Sequence, residues 1–128
     1  MPVHVSRERF AELVEQAVAD LPEPFAGFLE EVPIEIKLRP SRRLLRSMDM
    51  EDHELLFGLY QGASLLDKVE IEGRGSPMPN HILIFQEDHE LACESVAELV
   101  AEVRTTVLHE NGHHFGMDED DLEKLGYR

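Results

Sequence analysis

The side chains able to do chemistry concentrate in one stretch, His109-Glu110-Asn111-Gly112-His113-His114-Phe115-Gly116-Met117-Asp118-Glu119. It contains His-Glu-x-x-His. Residues four apart on a helix lie one turn apart on the same face, so His109 and His113 can aim their imidazoles at one metal ion. Glu110 stands about 100° round the helix from His109 and about 60° from His113. That is too far round for a natural third ligand, but close enough to hold a water on the metal. Zn²⁺ lowers the pKa of such a water to about 7. A carboxylate beside it can take the proton and return it to a leaving group. A site of this kind needs a third protein ligand. Gly116 lets the chain turn back, which leaves Asp118, Glu119, Asp120 and Asp121 as candidates.

These residues need a helix to hold them. Ser95-Val96-Ala97-Glu98 reads as a capping box. Val96, Val100, Val103 and Val107 make an apolar stripe at helical spacing, and Gly116 is the natural stop. His114 falls on the extension of that stripe and reads as packed rather than ligating. Glu102, Thr105 and Thr106 extend the His109 face backwards, where they can bond a ligand imidazole. Upstream, Ser6 can cap an amphipathic helix containing Phe10, Leu13, Val14, Ala17, Val18 and Leu21, ended by Pro22 and Pro24.

Val32 to Arg39 alternates as a half-buried strand, and Ser41 to Asp52 reads as loop carrying Arg42, Arg43 and Arg46. Leu55 to Tyr60 reads as a strand turned by Gly62, and Lys68 to Glu72 as a short strand before a Gly/Pro loop. His81 to Gln86 is the strongest strand, apolar on both faces and therefore buried on both. Asp118 or Asp120 can cap a last short helix with Leu122 and Leu125. His81 and His89 flank the strong strand, close enough to border a cleft. His4 and His53 carry no signal. The whole chain, 1–128, reads as one α+β domain: a helix, three or four strands, then two helices.

Composition narrows the function. Apolar residues are 42% and charged residues 30% of the 128, enough for one packed core. Lys plus Arg number 12 against 27 Asp plus Glu, a formal charge of −15. Such a surface repels nucleic-acid phosphates and anionic membranes. No apolar run approaches the length of a transmembrane helix or a signal-peptide core. A lone Cys93 excludes a disulfide-stapled secreted domain and fits a reducing cytoplasm. Cys93 also lacks the partners of a nucleophile or zinc ligand.

The chain resembles the small zincin-like metallopeptidases of bacteria. The resemblance runs through the N-terminal helix, Phe57-Gly58-Leu59-Tyr60-Gln61-Gly62, the Pro79-to-Phe85 strand and His109 to Gly116. It implies a minimal zincin-like fold, with a short mixed sheet packed against the motif-bearing helix. The family pattern is His-Glu-x-x-His-x-x-Gly-x-x-Asp. Carried over, it implies His109 and His113 as zinc ligands and Glu110 as general base. The third-ligand position falls on Glu119, where the pattern has Asp. The extra methylene requires a slightly different turn, and Asp118 one place earlier is the alternative. The implied activity is Zn²⁺-dependent cleavage of a peptide or protein substrate. The rival reading is a zincin-like fold kept as a non-catalytic binding or regulatory module with weak or absent metal. A nuclease using helix histidines is disfavoured by the −15 charge and by Glu110.

Overall fold

The computed structural model describes residues 2–19, 21–23, 25–30, 32–61 and 81–114, apart from the side chains of Phe28, His113 and His114. The readings placed on residues 62–80 and 115–128 lie outside it: the Gly62 turn, the Lys68–Glu72 strand, the Gly116 stop, the third-ligand candidates and the last helix. The described elements are α1 (Arg7–Ala19), α2 (Phe25–Phe28), β1 (Ile34–Lys37), α3 (Arg42–Ser47), β2 (Gly58–Gln61), β3 (His81–Phe85), α4 (Gln86–Ala92) and α5 (Val96–His114). The fold is α+β, with a three-stranded mixed sheet packed against helices.

β3 is central, parallel to β1 and antiparallel to β2. Register places Ile34, Ile82 and Tyr60 in one row and Ile36, Ile84 and Gly58 in the next. These rows belong to the sheet face that meets the core, where α5 lies across β2 and β3 and α1 lies against α5. Phe10, Leu13, Val14 and Ala17 of α1 interlock there with Leu99, Val100, Val103, Val107 and Leu108 of α5. Leu83 and Phe85 are buried on the opposite face, so β3 is covered on both sides as its composition demands.

Both main helices start on the caps their sequences announce. Ser6 Oγ accepts from Arg9 N–H at 3.0 Å, and Ser95 Oγ from Glu98 N–H at 3.1 Å. The Glu98 carboxylate reaches back to the N–H of Glu94, not to that of Ser95 as a capping box requires.

Three short helices correct the sequence reading. The stretch read as loop after Pro40 contains α3, started by Ser41 Oγ on Leu44 N–H at 3.1 Å. It closes in a Schellman turn, with Met50 N–H on Leu45 O and Asp49 at φ 56°. α4 follows β3 directly, and α2 sits between α1 and β1. β1 and β2 are shorter than their apolar patterns. Beyond β1, Leu38 turns outward and its carbonyl receives the N–H of Glu87.

α4 was hidden because its inward face is polar: Gln86, Asp88, His89 and Glu90 are all buried. Each has a structural task. Glu90 Oε2 accepts Val5 N–H at 2.8 Å, and the Gln86 amide donates to Val5 O, which ties down the N-terminal segment. Asp88 Oδ2 accepts Leu56 N–H at 2.8 Å, which fixes the approach to β2. No helix of the described residues is long and apolar enough to cross a membrane.

Candidate active site

α5 runs unbroken through the motif, so His109, Glu110 and His113 keep helical spacing along its last turns. His109 and Glu110 are half-buried. The helix presses on β2 at its glycine. A Cβ on Gly58 would stand 2.5 Å from Thr106 Cγ2 and 2.9 Å from the Leu83 carbonyl oxygen. Only hydrogen fits there, and the close approach brings Glu110 onto the strand: Tyr60 N–H donates to Glu110 Oε2 at 3.0 Å. Among the described residues β2 is one of the two outer strands, and this N–H points away from the β3 ladder.

Thr106 is held from its other side. His89 is fully buried, between the rings of Phe10 and Phe57. Its Nδ1 lies 2.8 Å from Phe85 O and its Nε2 2.9 Å from Thr106 Oγ1. A carbonyl only accepts, so Nδ1 carries the proton, and the single Thr106 hydroxyl proton is shared between Nε2 of the neutral ring and the Glu102 carbonyl. That hydroxyl also lies 2.9 Å from Glu102 O. Burial holds the His89 pKa below the ordinary histidine range, against the raising effect of the Phe85 bond. Burial likewise pushes the Tyr60 phenol up.

Thr105 bonds Ala101 O, while Thr106 bonds Glu102 O and His89, so neither threonine bonds a ligand imidazole. His89 is a core residue, not a cleft residue. His81 is half-buried and faces Glu35 at 3.8 Å across β1 and β3. Cys93 is buried, and burial, with Glu102 and Glu98 nearby, raises its thiol pKa. A buried thiol with a raised pKa agrees with the sequence reading that Cys93 is not a nucleophile. The arginines of α3 are solvated, and Arg42 lies 3.8 Å from Asp52. Sequence reasoning missed Gly58 and Tyr60. A glycine inside a strand was the available signal for the first; a backbone N–H gives none for the second.

Two of the donors that a zinc ion needs stand at ligand spacing on α5, while Glu119, the third expected, lies outside the described residues. Among the described residues no group of three ligating side chains forms a metal site. The chemistry of the motif fits zinc, since imidazole and carboxylate are its common ligands.

A short mixed sheet crossed by a helix bearing His-Glu-x-x-His, with the glutamate set against the outer strand, is a zincin-like arrangement. A family model described as zincin-like metallopeptidase matches residues 29–127, so the chain belongs to that family. No curated protein matches the chain.

Proposed function

We propose that the protein is a zinc-dependent peptidase in which His109, His113 and Glu119 hold the metal and Glu110 is the general base. The observation that carries this reading is the Glu110–Tyr60 contact at 3.0 Å, which sets the carboxylate beside an outer strand. When bound, zinc supplies the Lewis acidity that polarises a peptide carbonyl and acidifies water. The chain's own groups do the rest. Tyr60 N–H fixes the orientation of the Glu110 carboxylate. Glu110 takes the proton of the attacking water and passes it to the departing amine.

The substrate class is peptide or protein, because an outer strand is the natural template for an extended chain. The charge of −15 turns away nucleic acid and anionic membranes. A single, buried cysteine supports a cytoplasmic setting. The test compares wild type with Glu110→Gln on a mixed peptide library. The substitution leaves zinc content unchanged and lowers cleavage by at least about a hundredfold. Cleavage that persists in Glu110→Gln contradicts the assignment.

A further inference from the structure

A groove of about 280 Å³ opens where the loop before β2 passes α4. Pro40, Leu45, Leu55 and Leu91 give it apolar walls, Asp52, Glu54, Glu87 and Asp88 give it four carboxylates, and Arg39 and His53 complete the lining. Two of these acids are near arginines, with Arg39 3.5 Å from Glu87 and Arg42 3.8 Å from Asp52. Asp88 differs. It is only 5% exposed, and Leu56 N–H is its hydrogen-bond donor, at Oδ2. Its Oδ1 receives no hydrogen bond from the described residues, and Asp88 lines the groove. Burial raises the Asp88 pKa, against the lowering effect of the Leu56 bond, and Glu87 raises it further. A cation entering the groove would relieve that penalty.

We propose that this groove receives a lysine or arginine side chain of an extended peptide substrate, its methylenes against Leu45, Leu55 and Leu91 and its charged head on Asp88. The shape of the groove matches such a side chain, which buries an apolar stem while keeping its charge paired. Its place matches a substrate. Leu56, which bonds Asp88, precedes Tyr60, which bonds Glu110, by four positions, so one short segment of chain serves both the groove and Glu110. A peptide extended beside that segment would place its basic residue roughly four residues from Glu110. The inference rests on the peptidase reading and adds a preference for a basic residue at a fixed distance from the bond that is cut.

The test walks a single lysine through fluorescent peptides of neutral sequence, with norleucine at the same positions as reference. Binding to Glu110→Gln protein is read by anisotropy. One lysine register binds about tenfold more tightly than its norleucine counterpart. Asp88→Asn still accepts Leu56 N–H, and it removes the preference. Leu91→Lys places a cation of the protein's own beside the groove, and it also removes the preference. Leu91 is 60% exposed, so this second variant keeps the fold even if the first does not. No preferred register, or a preference that survives both substitutions, overturns the proposal. Self-association lost in Leu91→Lys without any lysine preference gives the groove to a second copy of the chain and also overturns it. Binding is read, not turnover, so a chain that cleaves nothing yet keeps the lysine register refutes only the peptidase reading. Cleavage indifferent to lysine refutes only the groove.

Discussion

Tyr60 and Glu110 meet where α5 crosses β2, the backbone N–H of the tyrosine donating to the glutamate carboxylate at 3.0 Å. The contact belongs to the backbone of residue 60, so its removal requires a residue without an N–H. Proline is tolerated on an outer strand where the lost donor faces away from the ladder. Relative to Tyr60→Ala, Tyr60→Pro is expected to lower kcat by about a further tenfold, the worth of one hydrogen bond to a charged group. Zinc content should stay equal in the two variants. Equal kcat would mean the contact does not orient the base.

Gly58 sets the distance that makes this contact possible. Gly58→Ala puts a methyl into Thr106 and the Leu83 carbonyl. Urea denaturation should show a loss of about 1–3 kcal/mol, and peptidase activity should fall with it. Adding Thr106→Ser removes the Cγ2 atom and should recover part of the stability. The Leu83 carbonyl cannot move aside, so recovery stays incomplete.

His89 makes stability depend on pH. Its folded pKa is depressed by burial, so the neutral ring is favoured in the folded state and the proton in the unfolded one. The contribution is complete above the unfolded value of about 6.5 and is lost as pH falls through the folded value. Melting temperature should therefore decline on acidification from neutrality. His89→Gln should be less stable at neutral pH and show a flatter decline over that window. A decline unchanged in the variant would place its origin elsewhere.

Asn111 is fully buried, and among the described residues neither its amide nitrogen nor its amide oxygen has a hydrogen-bond partner. An unsatisfied buried polar group costs about 1–3 kcal/mol. Asn111→Leu keeps the branching and the number of heavy atoms while removing both orphans. The expected result is a gain of that order in unfolding free energy. A loss would show that a bound water satisfies the amide.

The large-scale plan was legible where burial is achieved by apolar side chains. The run His81–Phe85 announced the central strand, Phe10 to Ala17 announced α1, and Ser95 announced the start of α5. The plan was illegible where burial is polar. Gln86, Asp88, His89 and Glu90 look like solvated residues, yet they face inward because each answers a specific backbone or side-chain group. α3 was missed because a six-residue helix, under two turns, is too short to show periodicity. At the site, His109 and Glu110 were read from their spacing, and the structure sets both on α5 with Glu110 against β2. Their support by Tyr60, Gly58 and the His89–Thr106 pair depends on chain crossings that no local pattern encodes.

Whether α5 carries a zinc site is decided by metal content. The protein should be purified without chelator or metal-affinity tag and measured by mass spectrometry beside His109→Ala. The account predicts about one zinc per wild-type chain and none in the variant. A folded wild-type protein that holds no zinc even after zinc is added would contradict it.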